Sequence, residues 1–375
     1  MEGCRMSGFS LHIVLATGGT GGHMSPAEAL ADVLTTNGHS VSLVTDTRGA
    51  AIGSFMRDTD RMVLNAKGAT GGGLIGKLRS VLSIASSTLQ VRRAFKKKRP
   101  SVVIGFGGYP SLPAVLAARS LGVPYVLHEQ NAVLGRVNRY MAKWAKMVAL
   151  SVDGTKRVPA EVHSRVTGNP VRSTIAKSAN IAYATPFGLG TIRVFVLGGS
   201  QGARILTDVV PEAILLLSEE FRSRLDVVHQ ARPEDIERAR QLYKEGGVQA
   251  EVASYFDDVS KILLRTQLVI CRSGASTLAE LTAMGRPAIL VPLAIAADDH
   301  QTANAEIIRE AGGGIIIKEE DFCPEALARK LERLFEDLGE LRSWSDGMRS
   351  IARLDAAQNL SDIIMEVSEN GKAVE

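Results

Sequence analysis

Aromatic residues make up only 5% of this 375-residue chain, too few for the stacking platforms that grip single-stranded nucleic acid. Cysteine is nearly absent. Cys4, Cys271 and Cys323 are scattered, odd in number and without metal-ligand spacing, the pattern of reduced thiols rather than of a disulfide framework. No apolar run nears the ~20 residues that span a bilayer, and the first ten residues lack the apolar centre of a secretory signal. A large excess of charge is also missing: the formal net charge of +4 does not demand a polyanionic partner, so nucleic acid is not expected. These absences predict a cytosolic protein that can still touch a membrane.

Glycine, by contrast, is concentrated in two similar places. His12-Ile13-Val14-Leu15-Ala16 runs into Thr17-Gly18-Gly19-Thr20-Gly21-Gly22-His23, and Arg193-Val194-Phe195-Val196-Leu197 runs into Gly198-Gly199-Ser200-Gln201-Gly202-Ala203-Arg204. Each reads as a buried strand that ends in a glycine loop and opens a helix. Such loops let backbone N–H groups and a helix N-terminus come close to an anion. A phosphorylated ligand is the first expectation.

Further short Val/Ile/Leu-rich runs alternate with helical stretches. Strands are expected at 13–16, 41–44, 102–105, 125–128 and 147–150, then at 194–197, 226–229, 268–271, 288–291 and 314–317; helices include 26–36 and 275–284. Non-alternating apolar strands separated by helices predict doubly wound parallel sheets, here in two copies. The turn-rich Val166-Thr167-Gly168-Asn169-Pro170-Val171 marks the expected boundary. That gives domains 1–170 and 171–354, with a helical tail in 355–375 able to pack back on the first.

Several residues carry possible chemistry. The first loop has Met24 where the third glycine of a dinucleotide fingerprint would fall, although Asp46 after the second strand keeps a ribose-binding reading open. The glycines can also serve only a tight turn. His23, at the loop's mouth, suits a general base or simply holds the loop by hydrogen bonding. In the second half, Arg272 to Glu280 leads from a strand into a helix. Thr277 and Glu280 have capping-box spacing; alternatively the helix start takes a diphosphate and the Glu280 carboxylate a pair of ribose hydroxyls. Asp298-Asp299-His300-Gln301 is a polar patch after a strand, poorly spaced for a metal and equally suited to sugar hydroxyls.

In their order and number these motifs resemble the MurG family of glycosyltransferases. The resemblance rests on Gly18 to His23, Gly107-Gly108-Tyr109, His128-Glu129-Gln130-Asn131, Gly168-Asn169-Pro170-Val171-Arg172, Gly198 to Arg204, Cys271 to Glu280, and Gln301 with Asn304. It implies a GT-B fold, two Rossmann-like doubly wound domains facing a cleft. It also implies an inverting transfer of N-acetylglucosamine from UDP-N-acetylglucosamine to the 4-hydroxyl of a muramyl-pentapeptide pyrophosphoryl-undecaprenol lipid, the step from lipid I to lipid II in peptidoglycan synthesis. The enzyme would work without a resident cofactor at the cytoplasmic face of the cell membrane.

Carried onto this sequence, the family pattern puts the uracil at the backbone of Phe256 and the ribose at Glu280. Ser200, Arg172 and the helix start Ala275-Ser276-Thr277, continued by Leu278 and Ala279, would serve the diphosphate and adjoining sugar. Asn131 and Gln301 would read sugar hydroxyls, and Thr20, Gly21 and Gly22 would face the reaction from the first domain. His23 is the expected base, with Glu129 in reserve. Phe256 and His300 depart from the family pattern, which has a smaller aliphatic residue and often a second glutamine there.

The lipid acceptor gives residues 74–99 a role. Leu74, Ile75, Leu78, Val81, Leu82 and Ala85 share one helical face beside Lys77, Arg79 and the cluster Lys96-Lys97-Lys98-Arg99. That arrangement suits an anionic membrane surface; periodicity alone favours a core helix with a solvated charge run, and the implied lipid substrate tips the reading to the membrane. Two other readings stay open: a GT-B transferase with another nucleotide sugar and acceptor, and a non-catalytic module binding a sugar nucleotide or NAD.

Overall fold

The computed structural model describes residues 10–52, 59–64, 74–186, 190–199 and 202–372. They form two compact units: 10–130, 134–170 and 355–372 in the first, 131–133 and 171–354 in the second.

The first unit is a seven-stranded sheet: β1 His12–Ala16, β2 Ser40–Asp46, β3 Asp60–Leu64, β4 Val102–Gly105, β5 Tyr125–Glu129, β6 Met147–Leu150 and β7 Ser164–Val166. The order is β3-β2-β1-β4-β5-β6-β7, and every pair is parallel. The central strands β1 and β4 are apolar but for His12 at the start of β1, because helices cover both faces. On one face Gly21–Thr36 and Ala356–Lys372 contribute Met24, Leu30, Leu34, Leu360, Ile363 and Ile364. On the other, Leu74–Lys97 and Leu112–Ser120 contribute Val91, Phe95 and Val115. The tail helix is also held by a half-exposed bidentate ion pair, in which Arg165 donates to both carboxylate oxygens of Glu366 at 2.8 and 3.0 Å.

The second unit has six parallel strands: β8 Ile192–Leu197, β9 Leu225–Gln230, β10 Gln249–Ala253, β11 Leu268–Cys271, β12 Ala288–Leu290 and β13 Gly314–Ile316. Their order is β10-β9-β8-β11-β12-β13. Both sheets therefore reverse direction of winding once, between β1 and β4 in the first unit and between β8 and β11 in the second. A crevice opens beyond the carboxyl ends of strands at such a switch point. Each glycine loop follows the strand on one side of it.

Three strands were not expected, β3, β7 and β10, and all three are sheet edges. An edge strand half-faces water, so it carries Asp60 and Arg61, Ser164 and Arg165, or Gln249 and Glu251 in place of a continuous apolar run. The first glycine-loop helix also starts earlier than expected, at Gly21 rather than Pro26, with Thr20 as N-cap and Pro26 inside it. Gly21 and Gly22 therefore form the helix's first turn, and the loop proper is Thr17 to Thr20.

Candidate functional site

In the first unit the β1 and β4 loops meet at the switch point. A Cβ on Gly18 would lie 3.6 Å from the Gly108 Cα and 3.7 Å from His23 Nδ1, and a Cβ on Gly108 would lie 3.6 Å from His23 Cε1. The His23 imidazole thus occupies the space beside two glycine backbones. Gly107 and Gly108 both have positive φ, 79° and 72°, so the β4 turn needs glycine twice over. Thr20 Oγ1 is hydrogen-bonded to His23 Nδ1 at 2.7 Å. When Nδ1 is the donor to the threonine hydroxyl, Nε2 carries the lone pair that a base requires.

Beneath His23 lies His128, fully buried at the end of β5. Its Nε2 donates to the Gly168 carbonyl at 3.1 Å, and Gln130 Nε2 donates to its Nδ1 at 2.9 Å. Burial lowers its pKa to about 4, with the nearby His23 adding to the effect. His128 is therefore a neutral strut with both nitrogens committed. Glu129, the reserve base, is buried as well and accepts from Gly135 N–H at 2.8 Å and Asn138 Nδ2 at 2.9 Å. Those bonds make it the clasp of the 129–138 loop. Asn138 belongs to this framework without having been singled out in the sequence: its Nδ2 also donates to the His128 carbonyl at 3.1 Å. The sequence carries no signal for it, since the burial of Asn138 in the short helix Arg136–Met141 is visible only in the fold.

Asp46 is engaged within its own turn. It is buried, accepts from the Gly49 N–H at 2.9 Å and pairs with Arg48. A Cβ on Gly19 would fall 2.0 Å from its Oδ1. The carboxylate closes the turn after β2.

In the second unit the loop after β8 is equally dependent on glycine. A Cβ on Gly198 would lie 2.4 Å from the Ala203 nitrogen, and Gly199 and Gly202 have positive φ. Ser200 lies outside the described residues, as do the side chains of Leu74, Ile75 and Lys77. Across the switch point, Ala275, Ser276, Thr277, Leu278, Ala279 and Glu280 form the first turns of the helix Ala275–Met284. Gly274 is its N-cap, with no side-chain cap and no acidic residue in the first turn. The capping-box alternative fails, because Thr277 sits three residues past the cap and Glu280 faces elsewhere. An uncapped N-terminus of this length is competent to receive an anion.

Glu280 is buried and pairs with Arg172, whose Nε donates to Oε1 at 3.0 Å and whose Nη2 lies 2.9 Å away. Burial raises the carboxyl's pKa, and the Arg172 guanidinium opposes that rise. Arg172 and Glu280, read separately from the sequence, form one unit here. Phe256 is half-buried, packed edge-on against Phe195 with ring centroids 6.0 Å apart.

Around the helix His300–Glu310 a polar network fixes the remaining expected residues. Gln301 Oε1 accepts from Leu293 N–H at 3.0 Å, and Ser273 Oγ donates to the Gln301 carbonyl at 2.8 Å. Asn304 Nδ2 donates to Asn131 Oδ1 and to the Ser273 carbonyl, both at 3.1 Å, while its Oδ1 accepts from Ala132 N–H at 2.8 Å. Asp298 and Asp299 precede this helix with φ of 56° and 53°. Left-handed φ is uncommon outside glycine, and aspartate is among the residues that tolerate it best.

These two switch-point sites, built on two doubly wound units, define a family 28 glycosyltransferase of GT-B fold. Residues 13–150 match the Glycosyltransferase family 28 N-terminal domain and residues 193–360 its C-terminal domain. The chain belongs to the MurG family. It is 46% identical to the UDP-N-acetylglucosamine–N-acetylmuramyl-(pentapeptide) pyrophosphoryl-undecaprenol N-acetylglucosamine transferase of Rhodospirillum centenum, covering 94% of this chain and 93% of that one. Its identity to the same-named protein of Paramagnetospirillum magneticum is 44%, covering 96% and 97%. The crystal structure of Acinetobacter baumannii MurG superposes with a TM-score of 0.76 at 29% identity, over 95% of this chain and 99% of that one.

Proposed function

We propose that the chain transfers N-acetylglucosamine from UDP-N-acetylglucosamine to the 4-hydroxyl of the muramyl sugar in pyrophosphoryl-undecaprenol-linked muramyl-pentapeptide, forming a β-1,4 linkage. The observation that carries the donor half is the uncapped helix start Ala275–Thr277 with the Arg172–Glu280 pair one turn on. The first takes a diphosphate, and a carboxylate suits two vicinal ribose hydroxyls. Relatives with this named activity over nearly their whole length support the acceptor half.

The reaction is a single displacement. The acceptor oxygen forms a bond to the anomeric carbon as the bond from that carbon to the UDP oxygen breaks, which inverts the configuration. The electron pair leaves on the diphosphate, where the helix N-terminus and Arg172 stabilise it. The hydroxyl proton passes to His23 Nε2, with Thr20 holding the other ring nitrogen. Asn131 and Gln301 orient the sugar hydroxyls, and the Phe256 backbone holds the uracil. Incubation with UDP-N-acetylglucosamine and a short-chain prenyl analogue of the acceptor should release UDP and yield one β-1,4 disaccharide lipid. Release of UDP only when a soluble acceptor is offered would favour a different GT-B transferase.

Among the described residues no helix is long and apolar enough to cross a membrane. The lipid is reached, in this reading, through the helix Leu74–Lys97. Its inner face buries Val91 and Phe95, whereas Leu78, Val81, Leu82 and Leu89 are 53–61% exposed on the outer face. The helix is tied to the β4 loop by Tyr109, whose hydroxyl donates to the Ser80 carbonyl at 3.0 Å. Lys96 and Lys97 close its last turn. A Leu78→Ser/Leu82→Ser double variant should lose about tenfold or more of its binding to anionic vesicles while keeping its melting temperature. Unchanged vesicle binding would remove this face from the role.

A further inference from the structure

Beyond the end of β9, the sequence His229-Gln230-Ala231-Arg232 carries an arginine that none of the roles above uses. Arg232 lies two residues past the strand end at Gln230, beside β8, to which β9 is paired in register through Val196 and His229. That places it at the carboxyl edge of the sheet, next to the second glycine loop. The contact is close: a Cβ on Gly202 would stand 2.8 Å from Arg232 Cγ. Gly202 itself has a φ of 65°. The aliphatic stem of Arg232 is thus laid across the loop's last glycine.

The guanidinium at the end of that stem makes no ion pair or hydrogen bond with any described residue. Its Nε is buried with no partner, and the side chain as a whole is half-buried. Arg238, not Arg232, is the arginine that pairs with Asp208 and with Asp235 Oδ1. An arginine whose buried nitrogen has no acceptor is costly to keep. A planar fork of donors held beside a glycine loop is matched by the oxygens of a phosphate group, which it can bind in bidentate fashion.

We propose that Arg232 is a diphosphate-binding residue of the donor site, reaching across Gly202 to the phosphate oxygens of the nucleotide. This rests on the donor reading of the second unit and adds a contact to it on the β9 side of the loop, opposite the helix start at Ala275. Diphosphate is also present in the lipid acceptor, so the test separates the two sources.

The experiment compares the wild-type chain with Arg232→Met, which keeps the stem packed on Gly202, and with Arg232→Lys. UDP and uridine binding are measured by titration calorimetry, and KM is measured for both substrates. Arg232→Met should weaken UDP about tenfold or more, equivalent to about 1.4 kcal/mol, with uridine affinity and acceptor KM changed by less than about twofold. Arg232→Lys should restore part of the loss, because it returns the charge without the fork. Equal weakening of UDP and uridine would overturn the proposal by showing a structural role. A rise in acceptor KM alone would reassign Arg232 to the lipid diphosphate and overturn it as a donor contact, and unchanged UDP affinity would also overturn it. Absence of UDP binding by the wild-type chain is a separate result, since that defeats the donor reading itself.

Discussion

His23→Ala should lower kcat by about a thousandfold, within the range by which a positioned general base accelerates proton transfer, and leave the KM for UDP-N-acetylglucosamine within about twofold. The asymmetry follows from where the residue sits. His23 is in the third position of the helix Gly21–Thr36, beside the Gly18 and Gly108 backbones of the first unit. The groups read here as diphosphate and ribose contacts all belong to the second. Removing the imidazole deletes no donor contact, and the neighbouring glycines need no side chain to hold them. Thr20→Val gives the companion test: it leaves the imidazole but removes its partner at 2.7 Å, so the ring loses its fixed tautomer and the fall should be smaller. Steady-state assays with both substrates varied distinguish these outcomes. A His23→Ala enzyme with near-normal kcat would take the base role away from His23.

Glu280→Ala should weaken UDP binding about a hundredfold, the loss expected when two hydrogen bonds to a charged acceptor disappear. It should also destabilise the second unit by about 1–3 kcal/mol, below the roughly 3–5 kcal/mol of breaking a fully buried ion pair because Arg172 is partly solvated. The side chains of Arg172 and Glu280 are 30% and 9% exposed. The two effects have one origin: the carboxylate orders Arg172 and is read as the acceptor of the ribose hydroxyls. They are separable with a 2′,3′-dideoxy nucleotide. Wild-type protein should lose affinity when given the dideoxy compound, and the variant should bind it as the wild type does. If the variant binds both nucleotides a hundredfold more weakly, Glu280 acts only by supporting Arg172.

How far the fold could be read from the sequence depended on burial. The central strands announce themselves because both faces are covered, as in Val102-Val103-Ile104-Gly105. β3, β7 and β10 do not, because an edge strand mixes charge with apolar residues and looks like loop. At the sites, glycine was a trustworthy guide: Gly108, Gly198 and Gly202 sit where a Cβ would collide or where φ is positive, and such demands are local. Partnerships were not legible. Nothing in the spacing joins Arg172 to Glu280 across 108 residues, or ties Glu129 to the turn at Gly135 and Asn138. Nor does the sequence show that Asp46 accepts from Gly49 N–H and pairs with Arg48 in its own turn. Local chemistry was visible in the sequence; the identity of each side chain's neighbour required the fold.

The tail helix Ala356–Lys372 has a consequence for the order in which the protein is made. Leu360, Ile363 and Ile364 are fully buried in the first unit's core beside Leu30 and Leu34, yet they are synthesised after the whole of 171–354. A chain emerging from the ribosome normally completes its amino-terminal domain first. Here the β1–β7 sheet must wait with part of one face covered only by the helix Gly21–Thr36 while the second sheet, contiguous but for 131–133, is built and folded. The first unit is therefore completed only after the second has been made, and the patch left for Leu360, Ile363 and Ile364 is the apolar surface that stays open in the meantime.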